Sequence, residues 1–298
     1  MRILIPVDGS EHSLRSIEFL TTRTDLLGDN PHIDVYFSQV AIPKHIYLGE
    51  TAEELKVYYE TEAKAVFDSV SALLQGTDIK PEMCYSIGQA PENIAAEADR
   101  IDADLIIMGT RGEGPVRGLL FGSVSNAVVA RSHRPILILR DKLPEGKKGL
   151  RVGIAADGSE FSQVAVDYVI KNRKLFGEDA KFELINAGLS SHPIGFASMA
   201  GMMISPASDV EMQRYRETCF HDAVDKLEEK FKAAGITPKL VSLEGEPGPT
   251  IADYATKEPL DLLVIGSHGY GNFRAAVLGS VAMRIASQSS VPLLIIRK

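Results

Sequence analysis

The sequence is poor in cysteine: its 298 residues include only Cys84 and Cys219. They sit in unlike local contexts with no CxxC spacing. That excludes a disulfide framework and a paired-thiol metal site, and fits buried, inert thiols in a reducing compartment. No apolar run reaches the roughly 18 residues that span a bilayer, so no membrane-spanning helix is expected. The apolar start at residues 1–7 is broken by Asp8 and is not expected to be a secretory signal, which makes the cytoplasm the expected location. A basic surplus is missing as well. Lys and Arg number 32 against 40 Asp and Glu, a net charge of −8. Such a chain carries no electrostatic footprint for nucleic acid or an anionic membrane surface. The seven histidines show no HxxxH or HExxH spacing, so no zinc site is legible. The phosphate-loop signature GxxxxGK[ST] is absent, the run from Gly112 to Gly118 has one residue too many for GxGxxG, and the kinase lysine, HRD and DFG set is missing.

What is present is a repeat. The mix of 45% hydrophobic and 24% charged residues is that of a globular chain, and the length suggests two domains of about 150 residues each. Residues 3–11 (ILIPVDGSE) match residues 152–160 (VGIAADGSE) at an offset of 149. Residues 104–109 match 261–266, residues 122–124 match 279–281, and residues 134–140 match 291–297, all at an offset of 157. Residues 141–150, polar with Pro and Gly, read as a linker between a domain at 1–140 and another at 151–298. Within the first copy, short apolar runs at 2–7, 35–40, 82–87, 105–108 and 136–139 read as strands. Segments 51–75, 91–100 and 123–132 read as helices, the second opening on Pro91, and Ser10 is a helix cap candidate. Alternating strands and helices imply two tandem α/β domains, each a doubly wound, five-stranded parallel sheet covered on both faces.

The loop after the fourth strand carries the chemistry. It reads Gly109-Thr-Arg-Gly112, nine residues, then Gly122-Ser123; in the second copy it is Gly266-Ser-His-Gly269, nine residues, then Gly279-Ser280. Glycines let a ligand approach the main chain. A helix beginning at Ser123 or Ser280 points free N–H groups and its dipole outward, which suits phosphate. With strand order 3-2-1-4-5, the order reverses between strands one and four, so Asp8 and Gly109 fall on opposite lips of one crevice. A carboxylate there suits a ribose hydroxyl pair. Asp-Gly-Ser is equally an ordinary turn followed by a helix cap, and Arg117 and Arg274, matched in both loops, read either as phosphate contacts or as solvated surface arginines.

With these residues in hand, the chain resembles the universal stress protein family over nearly its whole length. The resemblance rests on the G-x2-G-x9-G-S loop and the strand ending in Asp-Gly-Ser, each present twice. It implies the 3-2-1-4-5 sheet and pairing through the last strands, here an intramolecular pseudo-dimer, with a homodimer as a further form. It also implies ATP as cofactor, with Mg²⁺ held by the nucleotide's own phosphates. In the first copy Pro6, Asp8 and Val40 would meet adenine and ribose, Met108 and Gly109 would line them, and Gly112, Gly122, Ser123 and Val124 would hold phosphate. The second set is Ala155, Asp157, Ala187, Ile265, Gly266, Gly269, Gly279, Ser280 and Val281. Its smaller walls, Ala155 for Pro6 and Ala187 for Val40, are expected to loosen the base half, and His268 replaces Arg111. The implied function is ATP-dependent regulation of an unidentified protein partner in a stress response. Two alternatives stand beside it: a slow ATP hydrolase, disfavoured because no charge-stabilising set is legible, and a nucleotide-free scaffold. The scaffold would work through the apolar last strands and the methionine-bearing insertion at 188–208.

Overall fold

The computed structural model describes residues 1–22, 31–43, 51–110, 121–140, 143, 148–188, 209–269 and 278–297. Strand β1 (Arg2–Val7) has five of its six residues buried, because its neighbours are parallel strands with helices on both faces. It turns through Asp8 into α1 (Glu11–Thr21), where Ser10 caps the helix by accepting the Ser13 N–H at 3.3 Å. There follow β2 (His32–Gln39), α2 (Ala52–Leu73), β3 (Glu82–Ile87), α3 (Ala90–Arg100), β4 (Leu105–Gly109), α4 (Ser123–Arg131) and β5 (Ile136–Leu139). Thr51 and Glu54 close a reciprocal capping box on α2, and Pro91 stands in the first turn of α3. The second copy repeats the plan with β6 (Arg151–Ala155), α5 (Glu160–Lys171), β7 (Lys181–Gly188), α6 (Asp209–Ala233), β8 (Lys239–Glu244), α7 (Pro247–Lys257), β9 (Leu262–Gly266), α8 (Ser280–Gln288) and β10 (Leu293–Ile296). Among the described residues, no helix is long and apolar enough to cross a membrane.

The strands form one ten-stranded sheet in the order β3-β2-β1-β4-β5-β10-β9-β6-β7-β8. Each half keeps the 3-2-1-4-5 order with parallel pairing throughout. The halves join where β5 and β10 run antiparallel, with Leu294 opposite Leu137. Two hydrophobic cores result, one per face of the sheet, and each contains residues of both halves. This joint corrects the scaffold reading: the last strands are buried against each other and offer no docking edge.

Three other expectations need correction. Leu150, assigned to the linker, is buried, and its N–H donates to the Phe176 carbonyl at 2.8 Å, so it already belongs to the second half. Cys84 is half-buried, and desolvation together with Glu97 pushes its pKa up to about 11, as expected of an inert thiol, but Cys219 is exposed. Finally, β2 ends at Gln39. Leu4 pairs with Asp34 and Gly153 with Glu183, so the ladder makes Ser38, and not Val40, the counterpart of Ala187. Val40 lies beyond the strand at 72% exposure. The offset of 149 runs unbroken through this strand and matches Ser38 to Ala187. Of the insertion, only Gly188 lies within the described residues.

Candidate functional site

The strand order reverses between β6 and β9, and a cavity of about 550 Å³ opens at their carboxyl ends. That volume lies in the range of roughly 300–1,000 Å³ usual for small-molecule pockets. All nine second-copy candidates line it: Ala155 and Asp157 from the end of β6, Ala187 from β7, Ile265 and Gly266 from β9, Gly269 beyond it, and Gly279, Ser280 and Val281 at the start of α8. The sequence reading missed Asn186, Pro247, Ile251 and Met283, which line it too. Pro247 and Ile251 stand one turn apart on α7, a spacing that would have found them. The amide of Asn186 is fixed by a 2.7 Å hydrogen bond from Nδ2 to the Ala156 carbonyl.

Asp157 Oδ1 accepts the Ser159 N–H at 2.9 Å, so the turn reading of Asp-Gly-Ser holds for this oxygen. The other oxygen, Oδ2, lies under Gly269, where a Cβ would stand 2.5 Å from it. The missing side chain lets the loop after β9 cross directly over the carboxylate. Further along, the Gly279 N–H donates to the Ser267 carbonyl at 2.8 Å and closes the neck of the loop. The first bond within α8 runs from the Met283 N–H to the Gly279 carbonyl, and no side chain caps the helix. The N–H groups of Ser280, Val281 and Ala282 therefore have no acceptor in the helix, and the positive end of its dipole opens on the cavity. The described lining includes no lysine or arginine; His268 is its one imidazole, tilted against Phe161 at 5.3 Å between rings.

In the first half, Pro6 lies near the end of β1 and Asp8 just beyond it, Met108 and Gly109 end β4, and Gly122 precedes Ser123 and Val124 at the start of α4. Gly112, with Arg111 and Arg117, lies outside the described residues, as does Arg274 in the second half. Asp8 Oδ1 accepts the Ser10 N–H at 3.0 Å and its hydroxyl at 2.6 Å. Desolvation raises the pKa of Asp8, but the hydrogen bonds from Ser10 and Ser13 outweigh it, so the carboxyl titrates below the usual range. Gly122 has φ +97°, where a side chain would be strained, whereas Gly279 has φ −63°. Gly109 is required by packing: a Cβ there would lie 1.6 Å from the His12 carbonyl oxygen of α1. The halves also differ beside the crevice. Ser38 is tied by Asn93 Nδ2 at 3.0 Å, and Asn93 also reaches Ser86, whereas Ala187 has no polar side-chain atom to tie.

The universal stress protein family model matches residues 1–140 and again residues 150–297. A universal stress protein of Mycobacterium tuberculosis is 24% identical over 258 residues, covering 86% of this chain and 76% of that one. Another, from Thermus aquaticus, is 32% identical over 140 residues, which is 46% of this chain and 97% of that one. Among solved structures, a universal stress protein from Archaeoglobus fulgidus superposes with a TM-score of 0.71 at 21% identity, covering 99% of this chain and 98% of that one.

Proposed function

The chain belongs to the universal stress protein family, and from that membership we propose that it is a nucleotide-dependent regulatory protein that holds ATP in the crevices between β1 and β4 and between β6 and β9. The observation that carries this reading is the second cavity. It brings a carboxylate, an uncapped helix N-terminus and an apolar wall together in a volume suited to a nucleoside triphosphate. The N–H groups of Ser280, Val281 and Ala282 would receive phosphate, Asp157 the ribose hydroxyls, and Ala187, Pro247, Ile251 and Ile265 the base. Mg²⁺ would ride on the phosphates, since Asp157 is the one carboxylate in the described lining. Of the two small walls expected to loosen the second base half, Ala155 for Pro6 keeps its premise, whereas Ala187 stands opposite Ser38 in register and not Val40. Hydrolysis is not favoured, because no cation in the described lining stands ready for the charge of a transferring phosphoryl group.

The test is to denature protein purified without added nucleotide, identify released nucleotide by mass spectrometry, and titrate the emptied protein with Mg-ATP. One or two ATP per chain supports the proposal; no release and no binding at millimolar ATP would sink it. Val281→Asp puts a negative charge at the phosphate end from a residue that is 38% exposed. It is expected to weaken the second crevice about tenfold or more while leaving the melting temperature unchanged or slightly raised, since an acid at a helix N-terminus is favourable. Equal ATP affinity in this variant would place the phosphates elsewhere.

A further inference from the structure

Arg140 and Arg297 follow the last strand of each half, and each reaches across the joint into the other. Arg140 Nη2 donates to the Ala286 carbonyl in α8 at 2.5 Å, and Arg297 Nη1 donates to the Val129 carbonyl in α4. The two donors are 157 residues apart, and so are the two acceptors, so the contact is reciprocal. Each acceptor lies in the last turn of its helix, where carbonyls run out of backbone partners. The Ser132 N–H goes to Val128 and the Ser289 N–H to Ile285, one residue short of the acceptor in each case. An arginine from one half thus caps the helix of the other half whose opposite end opens on the crevice. A cation there and an anion at the N-terminus act on the same dipole with the same sign of benefit.

Arg140 makes a second contact. Its guanidinium carbon lies 5.2 Å from the centre of the Phe121 ring. Phe121 is buried and directly precedes Gly122 and Ser123, and its counterpart Leu278 lines the second cavity. Arg140 therefore touches the phosphate side of the first half and the far end of the second half's phosphate helix. It is itself only 6% exposed, and desolvation lowers the pKa of Arg297. Two desolvated guanidinium groups do not drift freely; a shift of Phe121 must displace Arg140 or break its bond to α8. Helices α4 and α8 have nine residues each, two and a half turns, short enough to move as rigid levers.

We propose that the two crevices are coupled through Arg140 and Arg297, so that filling one changes the affinity of the other. The coupling rests on the nucleotide reading above, but the lever itself can be tested without nucleotide. In ligand-free protein, Arg297→Gln is expected to speed hydrogen exchange of α4 amides about tenfold and leave α8 near its wild-type rate. Arg140→Gln should speed α8 likewise and, by freeing Phe121, the first turn of α4. No change in the helix that each arginine caps, or faster exchange in the arginine's own half alone, would overturn the lever. The coupling is then read by calorimetric titration with Mg-ATP. Asp8→Ala strips the first crevice of its carboxylate, and the affinity of the second is compared between this variant and wild type. A difference of about fivefold or more is expected, and it should vanish when Arg140→Gln and Arg297→Gln are both present. Equal affinities overturn the coupling, whereas failure of the wild type to bind ATP overturns the nucleotide reading and leaves the exchange result to decide the lever.

Discussion

A methyl group at Gly109 would stand 1.6 Å from the His12 carbonyl oxygen, and backbone cannot yield as a flexible side chain does. Gly109→Ala is therefore expected to cost about 3 kcal/mol, at the upper end of ordinary overpacking. At Gly266 the nearest atoms, Phe161 Cβ at 2.8 Å and its backbone C and O at 3.0 Å, are as unyielding but stand farther off, so Gly266→Ala should cost less, about 1 kcal/mol. Urea denaturation of the two variants checks both, and equal losses would mean that α1 and α5 do not pack as described. Gly109 was legible as a glycine of the loop motif, but its reason was not. Close approach to a ligand and close approach of a helix leave the same mark in a sequence. Gly269 is the opposite case, since its neighbour is the Asp157 carboxylate that the motif had already picked out.

At the scale of elements, a buried carboxylate ties β6, β7 and α7 together. Glu183 in β7 is 3% exposed; Arg151 of β6 donates to it at 2.5 Å and Tyr254 of α7 at 2.7 Å. Desolvation raises its pKa, but these two partners and Lys239 outweigh it, so it titrates below its ordinary value of 4.5. A carboxyl whose folded pKa is depressed stabilises the fold above that ordinary value, and the contribution fades as pH falls through the folded one. Glu183→Gln should then cost about 2 kcal/mol at pH 7, with the gap to wild type narrowing as pH falls below 4.5 and through the lower folded pKa. A gap that stayed constant down to pH 2 would show that the charge is not what matters. The strands, caps and helices themselves were readable, because apolar runs, Ser10 and Pro91 act locally. The end of β2 was not. Side-chain alternation cannot distinguish Ser38 from Val40, which share a face; the repeat offset of 149 points to Ser38, and pairing with β1 and β3 sets the register.

Across the whole molecule, three residue pairs between β5 and β10 turn two five-stranded sheets into one. Leu137 and Leu294 face each other there, both at most 1% exposed. Each mutation to alanine should cost about 3 kcal/mol, and the double variant should depart from additivity by about 0.5–1 kcal/mol, as contacting residues do. Strict additivity in a thermal or urea double-mutant cycle would mean that the two side chains do not meet. The repeat, the α/β alternation and the places of Asp157, Gly269 and Ser280 at strand and helix ends were determined by the sequence alone. They follow from runs of a few residues whose burial and capping are decided by near neighbours. The antiparallel joint, the cavity of about 550 Å³, the closeness of Asp157 to Gly269 and the crossing of Arg140 to α8 were decided only by the tertiary structure. Each depends on groups more than a hundred residues apart, and a pattern of period 2 or 3.6 specifies which face is buried but not which distant backbone covers it.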